Sequence, residues 1–348
     1  MPGRTAIGLD IGTSGVRAAE LSYDKTGVTL EKFGQVALPE GAVRDGEVVD
    51  RAAVADAIKA LWRGSGFRGK KVALGVANQR VVVRQIDLPW MPAAELKQSL
   101  PLQVQDFLPM PVEDSVLDFH VTEELNDGGT RGLRGLLVAA SRDMVMSNIE
   151  AVQAAGMRVT SVDLTSFAVL RSVGRPAGEV ATEALIDIGS RISNLVVHSG
   201  GVPRFVRVLL TGGQDITDAI AERLGVPTAL AEAVKRGTDT EVTDEELRLA
   251  GSAVDLMLEV FVDEIRSSID YYAASNPQFR PERLVVSGGG SLVRGLTDRL
   301  SSAVRLPVVF ANPISPLHVG RTGLDEQQLE LVQPLAAVPV GLALGVIS

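Results

Sequence analysis

The chain has 348 residues, 45% of them hydrophobic, which is enough to bury at least one large core and allows two or three domains. Its 34 basic and 43 acidic residues leave a net charge of −9, which gives no general attraction to nucleic acid or anionic lipid, and no run of Lys and Arg makes a local exception. There is no cysteine, so disulfides and thiolate metal sites are excluded, and a reducing cytoplasm fits.

The N-terminus enters a strand-like pattern at once and leaves no room for a signal peptide. IGLDIGTS at 7–14 follows an apolar run and leads into a second one, Val16 to Leu21, which reads as a hairpin with a glycine at its turn. Val54, Ile58, Leu61 and Trp62 make one apolar face of a helix from Ala53 to Trp62, with Asp50 as N-cap and Gly64 or Gly66 at its end. Residues 86–160 hold a helix with Leu96, Leu100, Val104 and Leu108, then two strands around the turn Asn126-Asp127-Gly128-Gly129. A second half starts near Ala181. It opens with ALIDIGS at 184–190 and a strand-like run from Asn194 to His198. Thr211-Gly212-Gly213 precedes a helix from Asp215 to Leu224, and residues 231–236 form another helix that places Glu232 and Lys235 on one face. The longest helix is expected from about Asp244 to Ala274, with Leu247, Val254, Leu258, Phe261, Ile265 and Ile269 as its core stripe. A buried strand then runs into Gly288-Gly289-Gly290, with a helix starting near Ser291. The apolar tail from Leu335 to Ile347 is short and interrupted by Pro339, so it reads as a buried segment; no stretch reaches the ~18 residues of a membrane helix.

The duplicated tetrapeptide Asp-Ile-Gly-Thr/Ser is the most informative feature. One copy need only close a hairpin. Two matched copies suggest a duplicated α/β domain with a cleft between the halves. Gly12 and Gly189 let the backbone approach a ligand, and successive turn N–H groups can cradle a phosphate. Thr13, Ser14, Ser190 and Ser193 add hydroxyl donors. Asp10 and Asp187 end their strands just before the turns, and two carboxylates facing across a cleft would hold hydrated Mg²⁺. Gly288, Gly289 and Gly290 would let a flat base or a phosphate sit against bare backbone. There is no GxxxxGK[ST], no dinucleotide GxGxxG spacing and no GxSxG elbow, and His120, His198 and His318 are scattered without metal spacing.

Two DxG hairpins, a Gly-Gly–helix segment and a later triple-glycine turn together resemble the actin and sugar-kinase superfamily. Within it, IGLDIGTSGVRAAEL is similar to the first phosphate loop of the PilM family of type IV pilus assembly proteins. DLPWMPAAELKQSLPLQVQDFLPMPVEDSVLDFHV and LLVAASRDMVMSNIEAVQAAGMRVTSVDL resemble that family's inserted subdomain, and FVRVLLTGGQDITDAIAERLGVPTALAEAVKRG its stretch before the adenosine site. LVVSGGGSLVRGL followed by PVVFANP is similar to its end.

The resemblance implies an actin-like α/β fold of duplicated ribonuclease-H-like domains with a nucleotide cleft and an FtsA-type insert. The first half would comprise 1–85 and 161–180, the insert 86–160, and the second half, with a nucleotide-binding subdomain, 181–348. It implies ATP and Mg²⁺ as cofactors. The first phosphate loop would fall on Asp10, Gly12, Thr13 and Ser14, with Arg17 where the family often has Lys. The second would fall on Asp187, Gly189, Ser193 and Ser190, the last where a small alanine is usual. The adenosine site would fall on Gly288, Gly289 and Gly290, with ribose and adenine contacts from Gly212, Gly213, Glu232 and Lys235. Asp10 and Asp187 would hold Mg²⁺ through water. No residue is assigned as a catalytic base, so weak or absent hydrolysis is expected. Pro101 is expected to break the insert's helix, where relatives carry helix formers. The implied partners are the cytoplasmic N-terminal peptide of PilN and other pilus platform and motor components, with self-association left open, no nucleic acid, and membrane contact only through partners. The implied location is cytoplasmic, at the inner face of the cell membrane. Trp90, Met91, Leu96, Phe107, Leu108 and Met110 offer an apolar docking surface between the insert and the first half. Two alternatives stand beside this. One is a small-molecule kinase of the same superfamily, which the short apolar insert disfavours. The other is an FtsA-like cell-division protein, which would carry a basic amphipathic C-terminal helix where this chain ends PVGLALGVIS.

Overall fold

The computed structural model describes residues 4–127, 130–174, 182–238 and 242–346. The chain opens with an antiparallel meander of β1 (Arg4–Ile11), β2 (Gly15–Asp24) and β3 (Gly27–Ala37). A small hairpin, β4 (Val43–Arg44) and β5 (Glu47–Val48), precedes α1 (Arg51–Ser65) and β6 (Lys71–Val76). Asp50 caps α1 by accepting from Ala53 N–H, and Gly66 at φ 68° ends it, so Gly66 and not Gly64 is the stop. The insert follows as β7 (Val82–Pro89), α2 (Ala93–Val104), β8 (Ser115–Asp127) and β9 (Thr130–Ser141). Gly128 and Gly129 of its expected turn lie outside the described residues. The chain then returns through α3 (Arg142–Ala154), β10 (Arg158–Leu164) and α4 (Thr165–Val173).

The second half repeats the plan. β11 (Thr182–Ile188), β12 (Ser193–Ser199) and β13 (Val202–Leu209) form a second meander, followed by α5 (Gly213–Leu224), α6 (Thr228–Arg236) and the long α7 (Asp244–Ser275). Then come β14 (Arg283–Ser287), α8 (Leu296–Val304), β15 (Val308–Phe310), β16 (His318–Val319) and α9 (Glu326–Leu344). The first sheet has the order β10-β6-β1-β2-β3-β16 and the second β13-β12-β11-β14-β15. Read from the meander, both place three antiparallel strands and then two parallel to the first: β6 beside β1 with β10 beyond it, and β14 beside β11 with β15 beyond it. The sequence duplication is therefore a duplication of topology.

Alternation along the strands builds the layers. Ile7, Leu9 and Ile11 of β1 face the core under α1 and α3, and Ala184, Ile186 and Ile188 of β11 face the core under α5, α7 and α8. The opposite faces of the two sheets enclose α4 and α9. Glycine sets how closely these pack: a Cβ on Gly341 of α9 would overlap the Ala168 carbonyl of α4.

Several sequence expectations change. α2 runs through Pro101 to Val104; the proline sits in its last turn and removes only the hydrogen bond to the carbonyl of Lys97. Leu108 lies beyond α2, after a 3-10 turn, yet still packs against its core. α3, within the span assigned to the insert, packs on α1, with Ala151 and Val152 in the first-half core. β16 and α9, within the span assigned to the second half, return to the first sheet: β16 pairs with β3, and α9 covers Ala6, Ala19 and Leu21. No helix starts at Ser291. Gly289–Leu292 form a 3-10 turn and α8 begins at Leu296. Leu247 is exposed, whereas Leu258, Phe261, Ile265 and Ile269 of α7 are buried. Among the histidines, only His198 is buried, with its imidazole Nε2 3.1 Å from Glu183. Among the described residues no helix is long and apolar enough to cross a membrane.

Candidate functional site

A cavity of about 510 Å³ opens between the two sheets, at the C-terminal ends of β1 and β11. This is where parallel strands of an α/β sheet leave a crevice for ligands. Asp10 stands opposite Arg17 across the first hairpin, and Asp187 opposite Asn194 across the second. The two turns close with the same bond: Gly12 N–H donates to the Gly15 carbonyl at 3.0 Å and Gly189 N–H to the Ile192 carbonyl at 3.0 Å. The second turn is tied in addition to the start of α5, where Gln214 N–H donates to the Ser190 carbonyl at 2.7 Å.

The glycine run after β14 is required by shape. Gly288 has φ 82°, and a Cβ there would overlap the Ile188 carbonyl. Its N–H donates to the Pro334 carbonyl at 2.7 Å, which draws α9 to the cavity wall. Gly213 and Gly290 face each other, with a Cβ on Gly213 in ordinary contact at 3.5 Å from Gly290 Cα, whereas a Cβ on Gly290 would overlap the Ile188 side chain. Beside them, Lys235 Nζ donates to the Gly213 carbonyl at 2.8 Å and to Thr217 Oγ1 at 2.7 Å, and lies 2.6 Å from Glu232 Oε2. Burial would raise the Glu232 carboxyl, but hydrogen bonds from Lys235, Thr217 and Arg236 outweigh it and hold the group below its ordinary value.

The two strand-end carboxylates are electrostatically opposite to Glu232. Burial raises Asp10, and Arg17, 3.5 Å away, offsets this only in part. Burial pushes Asp187 up to about 6; Ser287 Oγ donates to it at 2.7 Å and opposes the rise, while the charge of Asp10 adds to it. A cation brought to this pair would be favoured by both. Among the described residues no three His, Cys, Asp or Glu side chains stand together to hold a metal. A divalent ion here would take its other ligands from water and from a phosphate, which is how Mg²⁺ binds.

Every site residue expected from the sequence lines the cavity except Gly212 and Ser193. Ser193 is buried, and its hydroxyl donates to the Thr211 carbonyl at 2.7 Å. Gly212 packs on the second turn, where a Cβ would crowd the carbonyls of Gly189 and Ser190, and its N–H donates to Asp215 Oδ2 at 2.8 Å. Both support the loop from behind. The cavity also takes in residues that the sequence reading missed: Thr165, Asn194, Pro334, Leu335 and Val338. Asn194 was within reach of the sequence, as the partner of Asp187 across the hairpin. Thr165 and the α9 residues carry no motif, since only the folded chain brings them here. In the insert, Leu96 is buried in its core with Met91 and Leu108 packed around it, whereas Trp90 and Phe107 are about two-fifths exposed.

Two sheets of one strand order, closing on a cleft lined by paired aspartate-ended turns, define an actin-like protein. The ethanolamine utilization protein EutJ from Carboxydothermus hydrogenoformans shares this fold, with a TM-score of 0.54 and 16% identity over 99% of this chain and 90% of that one. The chain belongs to the family of type IV pilus assembly protein PilM, whose model matches residues 8–346. The solved PilM-PilN type IV pilus biogenesis complex aligns over 100% of both chains, with a TM-score of 0.85 and 28% identity. The cell division protein FtsA of Bacillus subtilis is 22% identical over 356 residues, 88% of this chain and 78% of that one.

Proposed function

We propose that the chain is a nucleotide-responsive scaffold of type IV pilus assembly, taking Mg·ATP in its cleft and holding the N-terminal cytoplasmic peptide of a PilN-type partner against the insert. The observation that carries the reading is the convergence of Asp10, Asp187, both glycine turns and Gly288–Gly290 on one cavity. Turn N–H groups of Gly12, Thr13 and Ser14 and of Gly189 and Ser190 receive the phosphates. Gly213 and Gly290 leave room for the nucleoside beside Glu232 and Lys235. Mg²⁺, held through water by Asp10 and Asp187, supplies charge neutralisation for the phosphates. No side chain is assigned as a base for water, so hydrolysis is expected to be weak or absent. Partner binding places the chain at the inner face of the cell membrane, with Trp90 and Phe107 as the exposed anchors.

Thermal melts with and without Mg·ATP test the cleft. A ligand at a hundredfold excess over its Kd stabilises by about 2.7 kcal/mol. Wild type should shift and Asp10→Ala with Asp187→Ala should not; an equal shift in both defeats the reading. Titration with the partner's N-terminal peptide tests the anchors. If Trp90→Ala and Phe107→Ala both bind as wild type does, the peptide docks elsewhere.

A further inference from the structure

Thr165 is the first residue of α4 and only 6% exposed. Its side chain lines the cleft, yet Oγ1 has no hydrogen-bond partner. A buried hydroxyl left unpaired costs stability, so its presence in the wall of a ligand cavity calls for an acceptor that the protein itself does not supply. No side chain caps α4, which leaves its first-turn N–H groups for a partner from outside the helix and its positive dipole end toward that partner. An acceptor that suits an O–H donor and a helix N-terminus together is an anionic oxygen.

The position says which one. Leu164 ends β10 and Thr165 starts α4 with no loop between them. Asp163 stands beside Gly75 and Gly75 beside Asp10, so α4 begins just beyond the row that holds Asp10. Ser166 Oγ donates to Asn194 Oδ1 at 3.2 Å, and Asn194 is the cross-strand partner of Asp187. The first turn of α4 therefore lies just beyond the row of Asp10, across β6, and against β12, the hairpin partner of the strand that carries Asp187. Glu232, Lys235 and Gly288–Gly290 all belong to the second half, whereas Asp10 belongs to the first sheet and Thr165 begins the helix that leaves β10 of that sheet. A nucleotide with its nucleoside among the former extends its phosphates toward the latter, and the outermost phosphate is the group that arrives.

We propose that Thr165 Oγ1 and the N-terminus of α4 bind the terminal phosphate of a nucleoside triphosphate, so that the cleft distinguishes triphosphate from diphosphate at this residue. This rests on the nucleotide reading above. The same turn gives the distinction an outlet: Phe167, two residues on, packs at 6.1 Å between ring centroids against His120 of β8 in the insert.

The test is calorimetric titration of the full chain in Mg²⁺ with ATP and with ADP, for wild type, Thr165→Val and Thr165→Ser. Valine keeps the shape and deletes the donor. Losing one charge-assisted hydrogen bond should weaken ATP about tenfold or more while ADP stays within about twofold. Serine should restore the wild-type ATP-to-ADP ratio. Unliganded Thr165→Val should melt at or above wild type, because an unpaired hydroxyl has been removed. The inference is overturned if valine weakens ATP and ADP equally or changes neither, or if unliganded Thr165→Val melts well below wild type, which would give Oγ1 a structural partner. If wild type binds neither nucleotide, the nucleotide reading itself falls, a different result from a wild type that binds both and a variant that matches it.

Discussion

Asp187 carries the clearest pH signature. Its carboxyl lies at about 6 in the folded chain against 3.8 for the ordinary group, chiefly because it is buried. A folded value above the unfolded one means that protonation favours the fold. This contribution is complete below pH 4 and is lost as the pH rises through 6. Asp187→Asn, neutral at every pH, should therefore make the unliganded protein more stable at pH 7.5 by about 2–3 kcal/mol, with little change near pH 4. The same variant should lose its stabilisation by Mg·ATP. Urea melts at the two pH values, with and without ligand, check both limbs. A variant less stable than wild type at pH 7.5 would mean that the ionised carboxylate is already well solvated.

Pairs of elements make stronger demands than single residues. α4 and α9 cross where Gly341 meets Ala168, and Gly8 of β1 gives α9 the same close approach from the other side. Gly341→Ala gains helix propensity but adds a methyl where a carbonyl oxygen already sits. Overpacking of this kind costs about 1–3 kcal/mol, so the net effect should be a lower denaturation midpoint. Pro101→Ala should do the reverse. It restores the hydrogen bond to the Lys97 carbonyl in an exposed last turn and should stabilise the chain by about 1 kcal/mol. Both are read from chemical denaturation, and a destabilised Pro101→Ala would show that the proline shapes the turn after α2. These contrasts explain what the sequence could reveal. α1 and α7 carry their own period and caps, with Asp50 and Gly66 on one and Thr243 with Glu246 on the other, so local chemistry marks their ends. The paired Asp-Ile-Gly turns were legible for the same reason: each is a short local solution that occurs twice. The onset of α8 was not, because Gly288–Gly290 can follow paths closed to other residues and β11 decides which. Nor were Thr165 and Pro334, whose place at the cleft depends on how two helices cross between two sheets.

At the scale of the whole molecule, the insert is joined to the second half by a chain of charges. Arg134 forks onto Asp87 with two bonds of 2.8 Å, and its hydrogen bonds hold that carboxyl below its ordinary value. Glu123 of β8 reaches Arg204 of β13 at 3.0 Å, and the Arg204 guanidinium lies 4.6 Å from the ring centroid of Phe279. Glu123 is itself partly exposed, so the pair stabilises by only ~1 kcal/mol or less. Arg204→Ala should leave overall stability nearly unchanged while amide exchange quickens along β8 and β13 and stays slow in β1 and β6. Unaltered protection along β8 would show that the packing of β7 on β13 suffices. The return of α9 to the first sheet bears on something else, the order in which the molecule can be made. The apolar face formed by Ala6, Ala19, Leu21, Leu30 and Phe33 leaves the ribosome well before its cover, residues 326–344, is made. Until that cover is made the face lacks it, and contacts between such distant parts of a chain form slowly and leave earlier segments open to aggregation. Nascent chains halted at residue 320 should bind a hydrophobic dye and a holdase chaperone, and should release both once residues 326–344 have cleared the ribosome.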